Sequence, residues 1–356
     1  MYVAMTTTAV ERPAPGGTTE ARRRRVAGLG VLAVLLVLAA AASLAVGARA
    51  LTPAEVWHGL TAAPEADQRL TEIRLIVRTV RVPRTVLAVV AGIALGAAGA
   101  LIQGYTRNPI ADTGLLGINA GASFAVVSAI ALLGLTDPFL YVWLAFLGAG
   151  LAGAVVFGLS SIGRGAGNPL TLALAGQGIA VFLAAMTTAV SLTDKASLNA
   201  LRFWNAGSLA GVGFDVIGPV SAFIASGLLL ALTTLPAVNL LNLGEDVARG
   251  LGVNVARSRT AGIVAITLLA GAATAACGPI AFLGLMVAHV ARYLTGPDYR
   301  WLVPYAGLLG AVVLLVCDIV GRLVVRPGEL DAGVVVSLLG APFFAVLVWR
   351  GKFKNT

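Results

Sequence analysis

Two acid–base pairs at helical spacing stand at or near the apolar runs of a chain whose residues are only 12% charged. Asp318 and Arg322 are four residues apart near the end of an apolar run, and Glu245 and Arg249 are four apart in a polar segment. Residues at i and i+4 share a helix face, so each pair can form an ion pair. A carboxylate inside an apolar run is costly and marks a function. A local salt bridge that fixes the helix end is the plainer reading, and the two are compatible. Arg81 and Arg84 bracket Pro83 at the head of another apolar run, Thr85–Ile102. None of these groupings suits covalent catalysis. The phosphate-cradling pattern G-x-x-x-x-G-K-[ST] is absent: the one Gly-Lys pair, Gly351-Lys352, is followed by Phe353. ATP phosphates therefore find no P-loop here. Cys277 and Cys317 have no metal-ligand spacing and read as small buried apolar residues. His58 and His289 each lack a second ligand nearby, so His58 reads as an interfacial polar residue and His289 as a packed, hydrogen-bonded one. Asn119, Ser123 and Gln177 are polar residues within apolar runs; they can line a path or hydrogen-bond between helices.

The elements that must position these residues are transmembrane helices. Of 356 residues 58% are hydrophobic and 12% charged, whereas a soluble domain is about 25% charged. Mean hydropathy is +0.91, and 43 glycines suit closely packed membrane helices. We place ten spans, at 26–48, 85–106, 115–134, 138–160, 169–192, 215–240, 259–277, 280–295, 302–322 and 332–350. Residues 1–25 read as a disordered, basic N-terminal segment, 26–350 as the membrane domain and 351–356 as a short tail. Arg22–Arg25 before Val26–Val46 read as the flank of an uncleaved first helix rather than of a signal peptide. An even span count puts both termini on one side, the cytoplasmic side of a prokaryotic cytoplasmic membrane. With that orientation 15 Lys and Arg lie inside and 10 outside, as the positive-inside rule requires. The net charge of +9 sits in loops, which points to membrane lipid and not to nucleic acid. Trp143, Trp301 and Trp349 fall at span ends, as an interfacial belt would place them.

The connection over 49–84 holds Arg49, Arg69, Arg74, Arg78, Arg81 and Arg84 on the outer side. They can pair with Glu55, Glu65, Asp67 and Glu72, or receive an acidic protein. Thr52-Pro53-Ala54-Glu55 is a capping box that predicts a short surface helix through Trp57. Gly92-xxx-Gly96 is a close-packing pattern for helices in lipid. Arg107-Asn108-Pro109, Gly114–Ala122 and Gly278-Pro279 break the helical runs, and irregular backbone at membrane depth needs protein around it or a cavity beside it. In 239–259, Leu243, Val247 and Leu251 recur every four residues and give a short helix one apolar stripe, before Gly250 and Gly252 turn the chain.

Four ordered elements carry a resemblance: R-V-P-R through G-L-L-G-I-N-A-G-A (Arg81–Ala122, with Gly99–Gly104 and Arg107–Asp112 inside it), GPIAFLGLMVAHVAR (Gly278–Arg292), Asp318-Ile-Val-Gly-Arg322 and Gly340-Ala-Pro-Phe343. From about residue 30 to its end the chain resembles the FecCD-type permease subunits of ABC importers for ferric siderophores and cobalamin. The resemblance implies an all-α, polytopic type II importer permease fold. It implies a second permease subunit, this chain or a paralogue, with the path at their interface. Two cytoplasmic ATPase subunits would hold ATP and Mg, leaving no cofactor in this chain, and an extracytoplasmic binding protein would feed it. The helix-turn at about 242–258 would be the coupling element, with Gly244, Glu245, Ala248, Arg249, Leu251 and Gly252 seated in the ATPase, Ala248 and Gly252 being small enough for a close fit. Arg81, Arg84 and Arg322, with Arg326 beside them, would pair with carboxylates of the binding protein. A proline usually precedes the residue matching His289; Ala288 stands there instead, which removes a cause of kinking. The implied cargo is a ferric siderophore, with cobalamin or haem next. An ion-coupled carrier would place ionisable groups near mid-membrane; the spans hold essentially one acid, Asp318, near an end and beside a base. A channel would need a filter-like repeat or charge ring.

Overall fold

Long apolar runs leave backbone amides no water to bond, so each run closes its own hydrogen bonds as a helix. The structure, a computed structural model, describes residues 16–47, 49–61, 67–135, 138–160, 162, 169–193, 195–325 and 328–349. Met1–Pro15, Glu65, Arg326 and the tail 351–356 lie outside the described residues. Among the described residues, eight helical segments are long and apolar enough to cross a membrane. They contain α1 (Gly16–Ala45), α4 (Val82–Thr106), α6 (Pro138–Ser160), α7 (Pro169–Ser191), α9 (Phe214–Leu241), α11 (Val255–Cys277), α13 (Tyr299–Val324) and α14 (Ala332–Trp349). One shorter apolar helix, α5 (Ile118–Leu133), and the thirteen-residue α12 (Leu283–Thr295), which carries His289 and Arg292, stand at the two remaining expected spans. The polytopic all-α architecture of about ten spans is therefore the one observed.

The short helices α2 (Pro53–Thr61), α3 (Gln68–Leu75), α8 (Lys195–Asn205) and α10 (Glu245–Gly250) decorate the connections. At α2 the capping box forms: the Thr52 amide donates to Glu55 Oε2 at 2.9 Å and the Glu55 amide to Thr52 Oγ1 at 3.3 Å. The Thr52 amide, then its hydroxyl, holds the Glu55 carboxyl below its ordinary pKa. A π-helical stretch, Ile76–Arg81, joins α3 to α4.

Helix α1 starts at Gly16, ahead of the expected boundary at 26, so Arg22–Arg25 are helical. Ala, Arg and Glu are good helix formers, and nothing in Glu20–Arg25 breaks the run. The two short helices have a shared cause. A 3₁₀ turn, Thr113–Leu116, and left-handed Gly117 precede α5, and non-helical Gly278–Phe282 precedes α12. Thirteen residues of α12 rise only about 20 Å. Protein covers the break: a Cβ on Gly278 would overlap the Trp204 carbonyl, and one on Gly207 the Pro279 carbonyl. α12 runs unbroken through Ala288-His289, as the missing proline allows.

Helix α4 is the centre of the bundle, buried along nearly all its length. Gly92 faces the Ala311 backbone and Gly96 the Ala306 carbonyl, both on α13; Gly99 faces Gly284 on α12. Close approach of this kind maximises dispersion contact where lipid supplies no hydrophobic drive between helices. A side chain at Gly96 has nowhere to go, because its neighbours are backbone atoms. Gly96→Val is expected to cost about 3 kcal/mol or more by overpacking, read as a fall in the detergent-solubilised melting midpoint; Gly158→Val, at a position with open space, is the control and should leave the midpoint in place.

Candidate functional site

Polar chemistry gathers at the two ends of α4. At one end the chain leaves α9, turns through Gly244 (φ 122°) and forms α10, then turns again at Gly252 (φ 85°) into α11. Only glycine holds such backbone cheaply, so both glycines set the path of the loop. The Glu245 carboxylate takes three guanidinium groups: Arg107 at 3.5 Å, Arg249 at 3.2 Å, and Arg259 in close contact. Arg107 closes α4 in a left-handed conformation, its amide bonded to the Gln103 and Gly104 carbonyls. Asn108 completes the turn by accepting from the Ile110 amide at 3.1 Å. Glu245 thus ties α10 to the C-terminus of α4 and the N-terminus of α11. Leu243, Val247 and Leu251 stay exposed as an apolar knob.

Two details of the expected coupling element change. Ala248 is fully buried in the chain's own core, so its small size serves internal packing and not a partner's seat. Glu245, with its side chain 24% exposed, is spent on its own arginines; Arg249 and Asp246 are the exposed charges of α10. Arg107 and Arg259 were missed by sequence reasoning. Each borders an apolar run, where basic residues are expected for topology alone.

The opposite end of α4 holds a buried ion cluster. Asp318, with no exposed surface, accepts from Arg84 Nε at 2.9 Å and from Arg322 at 2.6 Å. Arg84 also pairs with Glu329 at 2.6 Å. Arg322 donates to the carbonyls of Ser43 (2.9 Å) and Val46 (2.8 Å) and to Ser43 Oγ (2.7 Å). Arg81 donates to the Leu44 carbonyl at 2.5 Å and contacts the Arg49 carbonyl. The Ser43 and Leu44 carbonyls belong to the last turn of α1, where carbonyls lack intrahelical partners and draw cations, and those of Val46 and Arg49 lie just beyond its end. Arg81, Arg84 and Arg322 are thus buried and bonded to their own chain, and do not present free charge to a docking protein. Burial of an unpaired cation is costly, so the fold supplies each with acceptors. Glu329, 35% exposed, went unnoticed in the sequence, because nothing in its spacing links it to Arg84. On the neighbouring surface Arg49 pairs with Glu72 at 3.6 Å and Arg69 with Glu55 at 3.0 Å.

The three expected path residues separate. Asn119 accepts from Thr274 Oγ1 at 3.0 Å, and Ser123 donates to the Asn119 carbonyl at 3.0 Å and to Asn205 at 3.3 Å. Both therefore bond α5 to α11 and α8. Gln177 lies exposed on α7, which buries little of itself in this chain. A recess of about 740 Å³ opens beside the Gly278 break, lined by Tyr141, Trp204 and Asp215 among others. Among the described residues no group of three or more His, Cys, Asp or Glu could hold a metal. Cys277 donates to the Ala273 carbonyl at 2.9 Å, and His289 sits edge-on to Phe343.

Long helices packed through glycine, two short ones entered through broken backbone, and a helical knob tethered at one face define a multi-pass membrane transport protein. The chain belongs to the FecCD transport family, whose pattern it matches over residues 35–350. It is 43% identical over 331 residues to the ferric enterobactin transport system permease protein FepD of Escherichia coli K12, covering 92% of this chain and 96% of that protein. It is 37% identical over 319 residues to the iron(3+)-hydroxamate import system permease protein FhuB of Bacillus subtilis, covering 89% and 82%. It is 37% identical over 333 residues to the hemin transport system permease protein HmuU of Yersinia pestis, covering 92% and 97%. Its fold is similar to a solved metal-chelate type ABC transporter in an inward-facing conformation, with TM-score 0.77, 26% identity and coverage of 90% and 98%.

The buried cluster ranks its own members. Asp318→Asn leaves Arg84 and Arg322 buried without their shared counter-ion and should cost about 3–5 kcal/mol. Glu329→Gln removes a partly solvated pair and should cost roughly 1 kcal/mol or less. Melting midpoints of the two purified variants check this; equal shifts would mean that Asp318 is not the centre of the cluster.

Proposed function

We propose that this chain is one of two permease subunits of an ABC importer in the cytoplasmic membrane of a prokaryote, and that its cargo is a ferric siderophore. The relation to a ferric enterobactin permease over 92% of the chain carries the choice of cargo. In this reading the α10 face lies in the cytoplasm, with both termini, and the α2–α3 face lies outside. ATP and Mg are bound by separate ATPase subunits, so the chain acts as a transport subunit and not as an enzyme. An extracytoplasmic binding protein delivers the chelate. The second permease, a copy or a paralogue, covers the exposed faces of α7 and α14, and Gln177 lies on the path between the subunits. ATP-driven closure shifts the populations of inward- and outward-open states.

Helix α10 is the contact with the ATPase. Its exposed leucine and valine side chains fill the partner's groove, with Gly244 and Gly252 shaping the loop, while Glu245 converts pressure on the knob into movement of α4 and α11. Docking on the outer face works through Arg81, Arg84 and Arg322 indirectly: they fix the ends of α1, α4 and α13. Direct contact with Arg84 requires a partner carboxylate to replace Glu329. A haem cargo is the second reading, favoured by the similarity to the hemin permease.

Glu245→Arg places a fourth cation among three and should release α10 from its seat. Reconstituted with its ATPase, the variant is expected to keep basal hydrolysis and to lose at least about 90% of transport, since the tether is a close charge pair; normal transport would remove Glu245 from coupling. For the cargo, cells lacking the gene should lose uptake of radiolabelled iron given as a ferric siderophore, with recovery from a plasmid copy. Intact siderophore uptake with lost hemin uptake would replace the first reading by the second.

A further inference from the structure

Arg22, Arg23 and Arg24 are exposed on α1 and Arg25 half-exposed, and no ion pair reaches any of them among the described residues. The last of them is placed by its surroundings. The Arg25 guanidinium lies over the Trp301 ring, 6.0 Å from its centroid, and beside Gly296 in the α12–α13 turn. Tyr305 donates its hydroxyl to the Arg25 carbonyl at 2.5 Å. Arg300, next to Trp301, is also exposed. The neighbouring acids offer little compensation. Asp298 is engaged by the Arg300 amide and the Asn239 side chain, and Glu20 is exposed on α1 itself.

Depth fixes what such a patch meets. Val26–Ala45 is about 30 Å of helix, the thickness of the hydrocarbon core, and its outward face exposes Val26, Val31, Val34, Val37 and Leu38. The arginines therefore stand at headgroup level, with acyl chains directly alongside. This end of α1 is also the α10 end of the bundle, because the Tyr299 amide at the start of α13 bonds Asn239 near the end of α9 at 2.9 Å.

We propose that the surface where α1 meets the α12–α13 turn is a binding site for an anionic phospholipid. Arg22 and Arg25, three residues apart on one face, and Arg300 take the lipid phosphate. Trp301, partly exposed, flanks the glycerol region, and the acyl chains lie on the apolar face of α1, while buried Tyr305 holds the Arg25 backbone from behind. The occupant is a lipid and not a soluble anion, because the cationic groups and an exposed apolar face are continuous on one helix. Guanidinium groups favour phosphate through paired donors, and basic residues at this level attract anionic lipid. The site stands apart from the coupling and cargo readings and needs no partner protein.

The test uses the purified full-length chain, stripped of lipid in detergent. Native mass spectrometry follows retention of dioleoylphosphatidylglycerol and dioleoylphosphatidylcholine. The anionic lipid should be retained preferentially. R22Q/R25Q/R300Q should reduce its retention roughly tenfold without changing that of the zwitterionic lipid, and R22K/R25K/R300K should keep most of it. Independently, brominated phosphatidylglycerol should quench the fluorescence of Trp301, taken as the part lost in Trp301→Phe, more than brominated phosphatidylcholine does. Equal retention of the two lipids by the unaltered chain, unchanged retention in the glutamine variant, or equal quenching by the two brominated lipids would each overturn the proposal.

Discussion

In hydrocarbon there is no water to expel from between two helices, so helices hold together only as far as their atoms reach one another. Glycine at Gly92, Gly96 and Gly99 lets α4 meet α13 and α12 backbone to backbone. Everything else in the bundle is arranged around that contact. The opposed glycines Gly310 and Gly284 show that the partner helices yield too, each meeting the α4 backbone in return. The same economy recurs at Gly121 and Gly148, where α5 meets α6. The high glycine content is therefore a packing device on straight helices and a backbone device only at the turns.

The two ion clusters solve one problem in opposite ways. At the Asp318 end the charges balance: Arg84 and Arg322 face Asp318 and Glu329. Cations left over are bonded to α1 carbonyls, which carry the partial negative charge of a helix end. At the Glu245 end one carboxylate serves three arginines, and the excess positive charge faces solvent. A dry cluster must be neutral or bonded throughout; a wet one can be unbalanced because water and salt screen it.

The spans were legible because hydropathy is a local property. The span at 138–160 matches α6 residue for residue, and most other ends shift by a few residues. The capping box at Thr52-Glu55 and the pair Asp318-Arg322 were legible for the same reason, being local. What escaped was long-range. Arg84 meets Asp318 and Glu329 across more than two hundred residues, and no spacing announces that. Exposed arginines and buried arginines look alike in a sequence, so Arg81, Arg84 and Arg322 read as a docking surface. Ala248 read as a small surface residue for the same reason: a six-residue helix does not reveal which face it turns inward.

Helix α4 joins the two clusters. Arg84 stands in its first turn and Arg107 caps its last, so one rod of about 37 Å carries an ion pair at each tip. In the proposed coupling, a displacement of α10 would pass through the Glu245–Arg107 pair to α4, and the close glycine contacts would make α4 carry α13 with it instead of sliding past. Mechanical connection alone does not make two sites cooperate; one of them must also have two arrangements that the other can bias. Asp318 is a poor source of a second arrangement, since it is fully enclosed between two cations. Glu329 is the better one. It is partly exposed, sits in the turn before α14, and its ion pair among the described residues is with Arg84 alone. Exchange of that pair would alter the charge balance around Arg84 at little desolvation cost, so in the proposed importer the Arg84 tip of α4 is the end of the rod where a binding event would be felt.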